Sequence, residues 1–398
     1  MNFEIIIAIV FVVLMGLVLF FKRKKLDVQK VIFPLVYIIL YRTKVGIKLM
    51  DKIASKHREL VKLFGYISIG IGYVGIFFIS YSVLALMSKL IFHPAVTEPG
   101  MMLVLPFTEI PGLGFLPFSE WIISIFVLAV VHEFAHGVVA RAHNLEIKSS
   151  GFAVLGLLVP IIPAAFVEPD EKKMKKQSDI VQYSILAAGP VANILLALLI
   201  LLITSLVIFP AEAYISEPVG FSFDLMNETS PAAQAGLYDG MIVDMYNDKR
   251  VNSYEEFMID INSCVGAGDK VRFGSDNETY IITTGPHPED ETKPLIGIKN
   301  IQNKVEVKEQ YKWFSPVFFK IKSLFKWLFW LNLLIGLANL LPLGIVDGGR
   351  MLQISLHSII KDKKRANKIW GFIAVLFLVF LLFGLLATYF GNPFNLLG

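Results

Sequence analysis

Residues 128–140 read LAVVHEFAHGVVA. His132, Glu133 and His136 interrupt a run that otherwise has the makeup of a lipid-facing or core helix. Ionisable groups buried in such a setting are costly unless something compensates them. On a helix, positions 132 and 136 lie one turn apart on one face, so two imidazoles can grip one cation. Glu133 points off that axis but stays near enough to reach a water on the cation. The spacing is the HExxH arrangement of zinc hydrolases. The bland alternative is a pair of core histidines bonded to backbone. It is harder to sustain inside a membrane span, where polar side chains carry a penalty.

Composition frames the stretch. The chain has 398 residues, 55% of them hydrophobic and 18% charged, with a mean hydropathy of +0.63. That is too apolar for an ordinary soluble domain and points to several membrane spans. The net charge is +4, and its basic residues gather beside apolar segments. They read as orientation signals, not as a nucleic-acid surface. The single cysteine, Cys264, rules out an intrachain disulfide and a thiolate zinc site, so any metal is left to His, Asp or Glu.

Six apolar runs are long enough to cross: Phe3–Phe21, Gly65–Phe92, Trp121–Ala140, Ser184–Phe209, Trp327–Val346 and Ile369–Phe390. The first is followed by KRKK at 22–25, which puts the N-terminus outside. Residues 22–64, 141–183 and 347–368 each hold a Lys/Arg cluster and fall on the cytoplasmic side in this scheme. Val31–Tyr41 is apolar but too short to cross, and the basic amphipathic segment 45–64 reads as lying on the inner membrane surface. Residues 93–120, rich in Pro and Gly, read as an irregular outer loop or a short membrane-dipping element. The stretch 149–169 has a short apolar core broken by Pro160 and Pro163, and reads as a re-entrant strand or hairpin. Irregular backbone at that depth needs protein or a watery cavity beside it.

Residues 211–310 lack any apolar stretch of crossing length and read as a soluble α+β insert on the outer side. Their segment SPAAQAGLYDGMIVDMYNDKRVNSYEEF (230–257) resembles the PDZ domains of membrane and periplasmic proteases. The pattern predicts a short helix at Ala232–Gly236, a turn near Asn247–Asp248 and a helix N-capped by Ser253 with Glu256 three residues on. PDZ folds take extended peptide, here a substrate tail, by strand addition. Asn227 and Asn277 sit in Asn-x-Thr sequons but read equally well as plain turn residues.

A catalytic zinc wants three protein ligands and an open position. His143 lies beyond Arg141 and is a weak third candidate. Asp347, an isolated carboxylate after an apolar run, is a better one. If Arg141 and Arg350 mark one membrane boundary, His136 lies about 7 Å inside it and Asp347 about 4–5 Å inside. Pro342 and Gly344 would break the helix just before Asp347. The competing reading pairs Asp347 with Arg350 at the interface.

HEFAH in one span, AAGPVAN (187–193) opening the next and NLLPLGIVDGG (339–349) in a later one resemble the site-2 protease family of intramembrane zinc metalloproteases. The motifs match in order and spacing over about 119–352, and an intervening PDZ domain is familiar there. The resemblance implies that His132, His136 and Asp347 ligate one Zn2+, that Glu133 is the base, and that Asn193 helps to position substrate or the oxyanion. Asn193 also reads as a helix-packing polar residue near Gly189–Pro190. The lone cysteine fits a prokaryotic, archaeal-type member.

The expected protein is thus a polytopic α-helical membrane protein of about six spans, with an inserted α+β PDZ-like domain and a re-entrant strand region near the active site. Its expected segments are 1–64, 65–210, 211–310 and 311–398. Its expected partners are transmembrane protein substrates and the lipid bilayer, and no nucleic acid. The expected chemistry is zinc-assisted peptide hydrolysis near the cytoplasmic side, in regulated intramembrane proteolysis. Rival readings are a membrane-surface quality-control protease, a metal transporter and an inactive PDZ-bearing scaffold.

Overall fold

The computed structural model describes residues 3–32, 36–93, 100–157, 159–275, 278–287 and 290–392. Helix α1 (Phe3–Lys22) leads to strands β1 (Leu26–Ile32) and β2 (Val36–Thr43), then helices α2 (Ile47–Lys56) and α3 (Arg58–Phe92). A small hairpin, β3 (Glu109–Ile110) and β4 (Gly114–Phe115), precedes α4 (Phe118–Ala142). Long strands β5 (Ile147–Leu157) and β6 (Val159–Pro169) come next, followed by α5 (Glu171–Met174) and α6 (Asp179–Ile203). A π-helical turn, Thr204–Ile208, joins α6 to α7 (Phe209–Ile215). After these come β7 (Ser216–Leu225), α8 (Pro231–Gln234), β8 (Ile242–Val243), β9 (Met245–Tyr246), β10 (Lys249–Arg250) and α9 (Tyr254–Cys264). Strands β11 (Lys270–Ser275), β12 (Glu278–Thr283), β13 (Gly285–His287), β14 (Asp290–Leu295) and β15 (Ile298–Val307) follow. Helices α10 (Ser315–Ala338), α11 (Asp347–Ile359) and α12 (Lys363–Phe390) complete the order.

Six helical runs among the described residues are long and apolar enough to cross a membrane: Phe3–Lys25, Arg58–Phe92, Phe118–Ala142, Asp179–Ile215, Ser315–Ala338 and Lys363–Phe390. The number agrees with the sequence reading, but the boundaries shift, and two segments are laid out differently. The amphipathic segment 45–64 is not one surface element. It divides into α2 and the first turns of α3, with the break at His57. The fifth span is α10, Ser315–Ala338, in place of Trp327–Val346. Lys320, Lys322 and Lys326 lie on α10 and made its first half look extramembranous, whereas Pro342 and Gly344 lie in the turn after it.

The chain divides into two compact units, one of Met1–Ile203 with Lys322–Gly398 and the other of Thr204–Ile321. In the first, α3, α4 and α6 meet through small side chains. Ala140, Ala187 and Ala188 are completely covered and share one core with Val139, Ile185 and Leu340. Lipid gives helices no hydrophobic reason to associate, so close backbone approach through small residues carries the packing. Glu4 ties α1 to the start of α4, its carboxylate accepting from Ser119 N–H at 2.8 Å and from the Ser119 hydroxyl at 2.9 Å.

The predicted re-entrant stretch is the β5–β6 pair, registered Phe152 to Ala165 and Ala153 to Ala164. The sequence reading missed that β2 continues this sheet, pairing Leu40 with Ala153, and that β1 pairs with β2. The order is β1-β2-β5-β6, so β6 is an edge strand.

The second unit is α+β. Phe221, Phe223, Phe257, Phe273 and Ile282 form its core, each at most 2% exposed. Asn247 and Asp248 both take positive φ, 45° and 64°, between β9 and β10, as a primed hairpin turn requires. Ser253 caps α9, its hydroxyl accepting from Glu256 N–H at 3.4 Å. Asn227 closes a local turn, its side-chain oxygen accepting from Thr229 N–H at 3.1 Å. Asn277 lies outside the described residues.

Candidate metal centre

Helix α4 brings His132, Glu133 and His136 to one depth, and the turn before α11 brings Asp347 to them. His132 Nε2 lies 3.1 Å from Asp347 Oδ2 and 3.0 Å from His136 Nε2, while His136 Nε2 lies 3.3 Å from Asp347 Oδ2. The helix break before Asp347 is real, since α10 ends at Ala338 and Asp347 is the first residue of α11. Gly348 N–H donates to Asn339 O at 2.8 Å, which folds the 339–347 turn back on itself. Gly349 follows because a Cβ there would overlap the Leu343 backbone. Arg350 does not take Asp347 as its partner. Its guanidinium faces Glu171 at 3.7 Å, so the interfacial-pair reading of Asp347 is set aside.

Helix α6 supports the histidines from behind. Gly189 is required by close approach, because a side chain there would strike the Nε2 atoms of both His132 and His136. Pro190 interrupts the helical hydrogen bonds of α6. One turn earlier, Ile185 O accepts from His136 Nδ1–H at 2.6 Å. That bond fixes the tautomer and leaves a lone pair on His136 Nε2. Asn193 is fully buried, and its amide lies 3.2 Å from His132 Nδ1. Its Oδ1 has no partner. Turning the amide end for end lets that oxygen accept from His132 Nδ1–H, which frees His132 Nε2 in the same way.

Glu133 is held from the other side, where its Oε2 accepts from Val167 N–H of β6 at 2.9 Å. A cavity of about 350 Å³ is shared by His132, Glu133, His136, Val167 and Asp347. His143 stands apart. Its Nε2 lies 3.3 Å from the Ser184 hydroxyl, and burial, helped by Lys62 and Arg58, holds its pKa below the usual value.

The model of peptidase family M50 matches residues 120–381. The chain belongs to peptidase family M50, the site-2 protease family. An uncharacterized protein of Methanocaldococcus jannaschii is similar to this M50 chain, 27% identical over 332 residues that cover 82% of the chain and 79% of the relative. The M50 family is one of metallopeptidases that depend on zinc, and six candidate spans make this member a multi-pass membrane protein.

The donor set of this M50 peptidase fits such an ion. Two imidazole nitrogens and one carboxylate oxygen lie within 4.8 Å of one another, the sole such cluster among the described residues. Ligands about 2.0–2.1 Å from a tetrahedral zinc sit about 3.3 Å apart, close to the separations here.

Proposed function

We propose that this M50 peptidase hydrolyses peptide bonds in or near the transmembrane segments of membrane proteins, with His132, His136 and Asp347 holding one zinc ion and Glu133 acting as general base. The observation that carries this reading is the meeting of three donors at 3.0–3.3 Å, with Glu133 lining the same cavity. When bound there, zinc supplies Lewis acidity and an acidified water. Glu133 takes the proton of the attacking water and returns it to the leaving amine. The Val167 N–H fixes the carboxylate that does so. His136 is aimed by Ile185 O and His132 by Asn193, so Asn193 acts on a ligand; a contact with substrate would require its amide to leave that partner.

Substrate reaches the site in an extended form. The peptide bonds of a helix are shielded, and leaving them unpaired in lipid is costly. Backbone groups alternate along a strand, so Ala165 presents its N–H and C=O on the same outer edge of β6 as Val167. A substrate strand added there runs beside Glu133. An apolar cavity of about 230 Å³ bounded by Phe126, Phe152 and Glu133 extends the site towards lipid. It adjoins a cavity of about 560 Å³ beside α1, with which it shares Phe126 and Phe152. These two provide the path for a transmembrane segment.

The insert at 211–310 is PDZ-like and lies on the outer side, as the N-terminus does, with the metal site nearer the cytoplasm. The Ser253-capped helix and the Asn247–Asp248 hairpin support the PDZ-like reading. The test is reconstituted full-length protein with a single-span substrate. Zinc bound near one equivalent, cleavage by the parent and no cleavage by Glu133→Gln at unchanged zinc content are expected. Undiminished cleavage by that variant removes Glu133 as base, and zinc flux into sealed vesicles would favour transport.

A further inference from the structure

We propose that the surface between α2 and the ends of α3 and α4 binds the phosphate group of an anionic lipid headgroup. The cavity there measures about 610 Å³ and is lined by Lys48, Asp51, Lys52, Arg58, Arg141 and Asn144, among others. Four of those six are cationic and one is anionic. The single carboxylate is already used, because Asp51 pairs with Arg141. Arg141 also donates to Leu145 O at 3.2 Å. Lys48, Lys52 and Arg58 form no ion pair among the described residues, so the cavity keeps an excess of about three positive charges. The Arg58 Nε atom is buried and has no hydrogen-bond partner. The Lys48, Lys52 and Arg58 side chains line the cavity with charged donors, and an anion is their natural acceptor.

The membrane supplies that anion. Arg58 is the first residue of α3 and Arg141 the last but one of α4, and both helices are candidate spans. Their ends mark the headgroup level. Helix α2 lies there with Met50 and Ala54 buried at 2% and 3% exposure, in one core with Val138, Val139 and Ala140 of α4. A phosphodiester headgroup at that level meets lysine and arginine donors with its acyl chains already in lipid. Binding would clamp α2 to α4, and Arg141 follows the ligand His136 by five residues on the same helix. The site is independent of the proposed peptidase chemistry.

The experiment uses full-length protein in nanodiscs of phosphatidylcholine alone or of equimolar phosphatidylcholine and phosphatidylglycerol. Native mass spectrometry counts the phosphatidylglycerol retained on release, and melting reports the stabilisation. The parent is expected to retain phosphatidylglycerol and to melt higher in the mixed discs. Arg58→Gln and the pair Lys48→Gln with Lys52→Gln are each expected to weaken retention about tenfold, the loss of roughly one charge-assisted contact. The pair Lys24→Gln with Lys25→Gln, an equal charge change elsewhere, is expected to keep it. Equal retention by parent and cavity variants overturns the site. The same stabilisation from inorganic phosphate in phosphatidylcholine discs, without preference for phosphatidylglycerol, overturns the lipid assignment.

Discussion

Glu133 and Val167 are joined by a 2.9 Å hydrogen bond between a carboxylate on α4 and a backbone N–H on the outer edge of β6. The bond is a cross-brace between a helix and a sheet edge, and it sets where the carboxylate stands relative to the two imidazoles. Because the Val167 N–H points away from β5, proline at 167 removes this donor and leaves the β5–β6 ladder intact. Val167→Pro is expected to slow single-turnover cleavage about 10- to 100-fold, as for loss of a hydrogen bond to a charged group of about 1.5–3 kcal/mol. Zinc content should not change. A variant as fast as the parent would show that the base needs no brace.

Asp347 closes, with His132 and His136, the three-donor triangle proposed to hold zinc. Asp347→Ala leaves two imidazoles and no carboxylate. Metal analysis of the purified variant is expected to give far less than one zinc per chain under conditions that saturate the parent. Chelation of the parent should abolish cleavage, and added zinc should restore it. Retention of a full equivalent by the variant would move the third ligand elsewhere.

Asn193 touches His132, and its effect should run through the metal. Asn193→Ala is expected to weaken zinc affinity about 10- to 100-fold, the usual cost of losing the partner behind a ligating histidine. At saturating zinc the KM for substrate should stay near that of the parent. A raised KM with unchanged zinc affinity would instead identify a substrate contact.

Much of this centre was legible in the sequence because chemistry and spacing were local. The interval between His132 and His136 is a property of one helix, and the break before Asp347 was marked by Pro342 and Gly344. The sheet was half legible. Proline and a short apolar run marked 149–169 as irregular. The pairing of Leu40 with Ala153 joins residues more than a hundred apart, and nothing within Val31–Tyr41 names its neighbour. The fifth span was misplaced because lysines on α10 lowered its apolar signal. The role of Gly189 was hidden for another reason, since its value lies in what a side chain would strike.

Asp170, outside the spans, supplies a pH test. Its carboxylate N-caps α5, accepting from Lys173 N–H at 3.2 Å and from Lys172 N–H at 3.1 Å, with Lys148 at 3.5 Å. The Lys173 backbone bond above all, and Lys148 with it, hold its pKa below the usual carboxylate value. A depressed folded-state pKa contributes stability that is present above the unfolded pKa, near 3.9, and is lost as pH falls through the folded one. Asp170→Asn keeps the cap and removes the charge. Melting curves should place the variant slightly below the parent at pH 7, with the gap narrowing below about pH 4. A gap independent of pH would assign the effect to packing.

His132 and Asp347 stand 215 residues apart in sequence. During synthesis, a chain that has emerged only as far as α10 carries both imidazoles and the base but lacks the closing carboxylate. If zinc needs all three donors, as proposed, the centre is assembled only after most of the chain has been translated.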